Sequence, residues 1–345
     1  MPASPSDPRL DLLHDWLAAR AARFGLQLDS LRPASDDASF RRYFRIDAGA
    51  ASGGSLIVMD APPDRENCAP FVHAANVFRD AGLSVPEVFD ADLAAGVLLL
   101  EDLGNDTTLS GLNADSADSH YRDAGSALIR LQQASRPGVF PDYDRALLER
   151  ELLLYPDWYV ARHKRIDLTD SMKATLAKSF DLLIKAALSQ PQVYVHRDWH
   201  SRNLMQLEPQ RNPGVLDFQD AVYGPITYDL VSLLRDAYIT WPEERQLDWA
   251  IRYWEGARKA SLPVADDFGE FYRDFEWMGL QRQLKVLGIF ARLHLRDGKS
   301  RYLADMPLVL SYALTAARRY QALSGLVGVL EAVEQINPAE PAYTF

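Results

Sequence analysis

Two carboxylates and a carboxamide stand at a spacing that could move a phosphoryl group. Asp198 lies in His196-Arg197-Asp198-Trp199-His200-Ser201-Arg202-Asn203, five residues before Asn203, and Asp217 follows in Leu216-Asp217-Phe218. In the H-R-D-x-x-x-x-N pattern the aspartate accepts the proton of the attacking hydroxyl, while the asparagine and a later aspartate hold Mg²⁺ on the phosphates. An apolar run over 193–195 leads into the polar cluster. Residues 203–205 and 214–218 read as two strands joined by a turn containing Pro and Gly. The expectation is a hairpin with Asp217 on its second strand and all three side chains turned toward a common point.

Other chemistries fit less well. His196 and His200 are four apart, but Arg197 stands where a zinc protease needs glutamate and the preceding run reads as strand. Ser201 has no G-x-S-x-G turn around it. Gly298-Lys299-Ser300 lacks the earlier glycine of a phosphate loop, because position 293 is leucine.

The elements that must position this stretch change character along the chain. Asp7-Pro8 is a helix start, and Leu10, Leu13, Trp16, Leu17 and Phe24 carry helical spacing up to Gly25. Strand-like runs follow at 40–46, 55–60, 85–89 and 96–100, with a helix over 69–81 between them. The turn at 34–39, ahead of Arg41, Arg42 and Arg45, suits a phosphate-covering loop, although it contains no glycine. Beyond residue 105 helical patterns dominate: 118–133, 145–159, 168–189, 228–239, 243–261, 268–297 and 306–336. The fold class is therefore α+β, with a β-rich domain over 1–104 and a larger helical one over 105–345.

With 345 residues, a net charge of −11 and one cysteine, Cys68, the chain can bury a large core and cannot form an internal disulfide. The acidic balance argues against nucleic acid as a partner. No run reads as a membrane span or signal peptide, so a cytoplasmic protein without an obligate protein partner is expected.

The three blocks His196–Asn203, Leu216-Asp217-Phe218-Gln219-Asp220 and Gly224-Pro225-Ile226-Thr227-Tyr228-Asp229-Leu230 together resemble the aminoglycoside phosphotransferase family of protein-kinase-like enzymes. The resemblance implies a bilobal kinase-like fold and the use of ATP and Mg²⁺. Further stretches, Ser39-Phe40-Arg41-Arg42-Tyr43-Phe44-Arg45, Val58-Met59-Asp60-Ala61-Pro62-Pro63, Glu101-Asp102-Leu103-Gly104 and 284–292, are similar to those of family members that phosphorylate the anomeric hydroxyl of an N-acetylated amino sugar.

The same resemblance implies the site roles. Asp198 is the base and His200 lies near the transferred group. Asn203 and Asp217 take the metal, and Asp229 braces the loop. Glu101 and Leu103 offer backbone groups to adenine, and Ser39, Arg42 and Arg45 face the phosphates. Met59 stands where the family has a strand lysine, so either Arg42 or Arg45 replaces it or Mg²⁺ carries more of the neutralisation. An acceptor with a carboxylate, such as N-acetylmuramate, needs a cation from among Arg202, Arg235, Arg282 and Lys285. Another acceptor, such as an aminoglycoside or choline, and a non-catalytic kinase-like binding protein remain the alternatives.

Overall fold

The protein is described by a computed structural model that covers residues 7–35, 40–50 and 53–336. Two compact units emerge: residues 1–106 with 205–220, and residues 107–204 with 221–345.

In the first unit Asp7 caps α1 (Pro8–Ala18), its carboxylate accepting the Arg9 N–H at 2.9 Å. The expected single helix breaks after Ala18; a short α2 (Ala21–Phe24) ends at Gly25 in the left-handed conformation. The sheet follows: β1 (Arg32–Ser35), β2 (Arg42–Asp47) and β3 (Ser55–Asp60), then α3 (Ala69–Asp80), β4 (Val88–Asp92) and β5 (Val97–Glu101), all antiparallel in the order β1-β2-β3-β5-β4. Strand β4 starts three residues later than the alternation suggests, since Pro86 has no N–H for the ladder. Leu13, Trp16 and Leu17 of α1 close over Ile46, Leu56, Val58, Val97 and Leu99, so the leading helix forms part of the sheet's core. Residues 205–220 join this unit through Phe218, whose ring lies 4.8 Å from Phe71 and 5.7 Å from Phe78 of α3.

The second unit comprises α4 (Thr108–Gly111), α5 (Ala117–Gln133), α6 (Arg145–Leu152), a π-helical segment (Tyr155–Lys164) and α7 (Asp170–Ser189), then β6 (Gln192–Val195). The two-residue strands β7 (Leu204–Met205) and β8 (Gly214–Val215) come next in the chain, before β9 (Val222–Pro225). β6 pairs antiparallel with β9, Val195 opposite Val222, so residues 196 and 221 leave the same end of a two-stranded ribbon. The helices α8 (Tyr228–Leu234), α9 (Glu243–Lys259), α10 (Phe268–Asp297), α11 (Met306–Arg318) and α12 (Ser324–Glu334) complete the unit.

The helical period over 228–239 stops early, at Leu234, because the Arg235 carbonyl is taken by the Gln283 amide at 3.2 Å instead of a helical N–H. The 306–336 run divides into α11 and α12 around Arg319 and Tyr320, both anchored on Glu276.

Helix α10 is the spine of this unit. Most of its central residues are buried, and it packs on α7, α8, α11 and the π-helical segment. The last contact is possible only because residue 288 is glycine. A Cβ there would sit 2.4 Å from the Leu154 carbonyl carbon and oxygen, which is backbone and cannot swing away. This close approach also marks where the expected 145–159 helix gives way to the π-helical segment. Gly288→Ala is expected to destabilise the protein by about 1–3 kcal/mol through overpacking. Urea unfolding should show a lowered midpoint with an unchanged slope.

Candidate active site

The loop from His196 to Asn203 is held by carboxylates beneath it. Asp229, in the first turn of α8, accepts the backbone N–H groups of His196 at 2.6 Å and Arg197 at 2.9 Å. Burial raises its carboxyl to about 7 against those two donors. Asp236 does similar work for the second half of the loop, accepting the Ser201 N–H at 3.0 Å and hydroxyl at 2.5 Å, and the Tyr238 N–H at 2.9 Å. Arg197 adopts φ 79, a conformation that a non-glycine residue keeps only where its surroundings enforce it. The enforcing contacts are Asp229 on its N–H, the Ser232 hydroxyl on its carbonyl at 3.2 Å, and Glu151 on its guanidinium.

The strained turn presents Asp198, half-buried. Its N–H donates to His196 Nδ1 at 3.2 Å, and its carbonyl accepts the Asn203 amide at 3.0 Å. An amide nitrogen tied there leaves the Asn203 oxygen on the other side of the group. Burial works against an ionised Asp198. The charges of Lys285, Arg282 and Arg197 outweigh it and hold the carboxyl at about 2. His200 is buried, lies edge-on to Tyr238 at 5.3 Å, and is pushed down from the usual imidazole range by burial.

Behind the loop sits a buried ionic cluster. Glu151 of α6, 5% exposed, pairs with Lys285 of α10 at 3.0 Å and with Arg197, and also accepts the Tyr143 hydroxyl. Lys285 donates to the Tyr228 hydroxyl at 2.9 Å. Burial opposes both charges of the pair. Mutual attraction wins, keeping Glu151 below and Lys285 above its ordinary range.

The four proposed acceptor cations therefore separate. Lys285 belongs to the Glu151 cluster. Arg235 is buried among Tyr272 (3.3 Å), Glu243 (3.8 Å) and Glu276 (3.9 Å), so its charge is already matched. Arg202 is exposed and stacks over the Tyr238 ring at 3.5 Å. Arg282 alone is buried with its charge uncommitted.

The first unit revises several other expectations. Asp217 is not on a strand: β8 stops at Val215, and Asp217 is exposed at φ 64, a region aspartate tolerates better than most residues. Gln219 donates to its Oδ1 at 2.7 Å. Arg42 does not stand open to phosphate. It pairs with Asp60 at 2.6 Å and Asp7 at 2.5 Å, while Arg9 shares the fully buried Asp60. Arg45 is also committed, to Asp102 at 2.5 and 2.9 Å and to Asn105 at 2.7 Å. Asp102 further accepts the Gly104 N–H at 2.9 Å, so this ion pair fixes the turn after β5. In that turn the Glu101 N–H is used by Glu87, and its carboxylate by Arg211 at 2.7 Å. Leu103 is buried beside Gly214. Ser39 lies outside the described residues.

Three features escaped the sequence reading. Glu151 was signalled by its place on the buried face of α6 beside Leu148 and Leu152. Asp236 carried no local signal, because its partner is 35 residues away. The pair of Arg41 and Glu66, at 3.0 Å, supplies a cation held by glutamate in the unit where a strand lysine and helix glutamate had seemed lacking.

A five-stranded antiparallel sheet unit and a mainly helical unit carrying this braced loop make a protein-kinase-like fold. A choline/ethanolamine kinase family protein from Mesorhizobium loti superposes with a TM-score of 0.62 at 16% identity, over 94% of this chain and 99% of that one. An ADP-bound aminoglycoside phosphotransferase gives 0.55 at 13% identity, over 86% and 97%. The chain belongs to the phosphotransferase enzyme family, which residues 30–268 match. It is 49% identical to the N-acetylmuramate/N-acetylglucosamine kinase of Pseudomonas aeruginosa, over 88% of this chain and 89% of the relative. It is 47% identical to the protein of that name in Neisseria meningitidis, over 90% and 93%.

Removing the Glu151 carboxylate would leave two cations facing each other under the loop. Glu151→Ala is expected to cost about 3–5 kcal/mol of stability, because the buried charges lose their partner. In the fraction that folds, kcat should fall more than KM rises. Thermal unfolding and steady-state kinetics check this; an unchanged kcat would show that the loop does not depend on the cluster.

Proposed function

We propose that this chain transfers the γ-phosphoryl group of ATP to the anomeric hydroxyl of N-acetylmuramate and N-acetylglucosamine, a step of peptidoglycan recycling in the cytoplasm. The observation that carries the reading is Asp198, kept ionised on a strained loop whose backbone is pinned by Asp229, in a chain whose relatives are named N-acetylmuramate/N-acetylglucosamine kinases. No helix among the described residues is long and apolar enough to cross a membrane, which is compatible with an enzyme that draws on ATP.

In this mechanism the half-buried Asp198 receives the hydroxyl proton. A carboxyl held at about 2 is a weak base, poorly suited to deprotonating an ordinary alcohol before attack. The anomeric hydroxyl is a hemiacetal and more acidic than other sugar hydroxyls. In a loose transition state its proton can also leave late, so positioning matters more than base strength. Arg197, fixed by Glu151 and Asp229, aims the turn that carries the base. His200, buried and pushed toward its neutral form, lies within the electrostatic reach of Asp198 and on this reading would lie near the transferred group.

Mg²⁺ is a hard cation that takes oxygen ligands and keeps several waters, and on this reading the Asn203 carboxamide and the Asp217 carboxylate would be its protein ligands. Bound there, Mg²⁺ would supply neutralisation of the phosphate charge. Arg41, seated on Glu66, takes the phosphate-facing role first expected of Arg42 and Arg45. The adenine side of the nucleotide falls to the turn at Glu101–Leu103.

Asp198→Asn should lower kcat by about 10²–10⁴, the usual worth of a positioned base, while nucleotide binding persists. With Mg-ATP, the product from either sugar should show phosphorus coupled to the anomeric proton by NMR. Turnover of aminoglycosides or choline, with none of the N-acetylated sugars, would overturn the reading.

A further inference from the structure

Arg282 sits in the middle of α10 and is 3% exposed, yet its side chain makes no hydrogen bond or ion pair with any described residue. A guanidinium presents five N–H donors and stays charged at any physiological pH, so leaving it buried without an acceptor is costly. Its neighbours on the same helix are all engaged: Gln281 reaches Glu151, Gln283 bonds the Arg235 carbonyl at 3.2 Å, and Lys285 pairs with Glu151 at 3.0 Å. Asp198, His200 and Asp229 all feel the charge of Arg282, but no carboxylate among the described residues comes within ion-pairing distance of it. The group is close to the base without being its salt-bridge partner.

We infer that Arg282 is the receptor for the lactyl carboxylate of N-acetylmuramate, and so the residue that sets preference between the two acceptor sugars. The inference rests on the amino-sugar reading above. The geometry of the sugar favours it over a role toward phosphate. If the anomeric oxygen meets Asp198, the substituent on the 3-oxygen falls on the same sugar ring a few ångströms away, at the separation expected of a cation that influences Asp198 without touching it. A planar guanidinium takes a carboxylate through two parallel N–H bonds, which suits selection of an acid over its neutral analogue. The other cations are poorer receptors: Lys285 and Arg235 have carboxylate partners, and the exposed Arg202 keeps its water and its stacking on Tyr238.

The test is a comparison of kcat/KM for N-acetylmuramate and N-acetylglucosamine in the full-length protein, its Arg282→Gln and Arg282→Lys variants, and Arg202→Ala as a contrast. Any loss transmitted through Asp198 is common to both sugars and cancels in the ratio. Arg282→Gln is expected to reduce the N-acetylmuramate to N-acetylglucosamine ratio by about tenfold to a hundredfold, mainly through KM for the acid, with the lysine variant in between. Equal losses on both sugars, or a ratio that moves with Arg202 and not Arg282, would overturn the assignment. Should Arg282→Gln fail to fold, the lysine variant still decides, since a positive charge without the planar fork should lower the ratio but not restore it. A parent protein that turns over neither sugar brings down the functional reading and this inference together; a parent active on both, with an unchanged ratio in the variants, brings down the inference alone.

Discussion

Glu151 places a carboxylate inside the helical unit, and the catalytic loop is arranged around the consequences. A buried anion must be matched, and two cations from different parts of the chain converge on it: Arg197 from the loop and Lys285 from α10. Their combined charge exceeds that of Glu151 by one, and the excess acts on Asp198. Burial alone would raise Asp198; instead it is held as an anion. The same ionic cluster thus does two jobs. It fixes the turn through Arg197 at its positive φ, and it sets the protonation state of the residue that the turn presents. A hydrophobic replacement of the cluster could be as stable, since buried ion pairs are weak stabilisers. It would leave Asp198 without its field.

Helix α10 extends this arrangement. Gln281, Arg282, Gln283 and Lys285 form a polar run in the centre of a helix that is buried on most sides. Three of the four groups find a partner within the helical unit. Gln281 and Lys285 turn to Glu151, whereas Gln283 ends α8 by bonding the Arg235 carbonyl. Ending α8 there frees Asp236 to hold Ser201 and Tyr238. The loop, the end of α8 and the spine helix are therefore one hydrogen-bonded assembly. Gly288, two turns past Gln281, lets the spine approach the backbone at Leu154, and α6 with Glu151 lies just before that point.

Much of this was legible in the sequence because the signals were local. The strand runs of the first unit, the helix over 69–80 and the long helical patterns all appear close to their expected places, as period-2 and period-3.6 patterning requires. The spacing of Asp198 and Asn203, and Asp229 beneath them, could be read because one short loop and the following helix carry them. What was not legible is long-range pairing. Arg42 and Arg45 looked like phosphate ligands because their partners, Asp60 and Asp102, are 18 and 57 residues away. Arg282 and Lys285 looked alike as acceptor cations, because Glu151, which claims Lys285, lies far away in the chain. Asp217 was placed on a strand because Val215, Leu216 and Phe218 suggest one; the left-handed turn at Asp217 breaks that pattern without leaving a glycine to reveal it.

The pairing in the first unit also bears on how phosphate charge is met. Asp60, fully buried, draws Arg9 and Arg42 to itself and so ties α1 to the ends of β2 and β3; Asp102 draws Arg45 and so shapes the turn after β5. These cations are structural, and releasing either to a nucleotide would strand a carboxylate at considerable cost. Arg41 differs from them. Its partner Glu66 lies just ahead of α3, so the pair links the start of β2 to the approach of a helix, as the strand lysine and helix glutamate do in protein kinases. Buried Met59 packs the interior of the sheet, where a lysine would bury a charge.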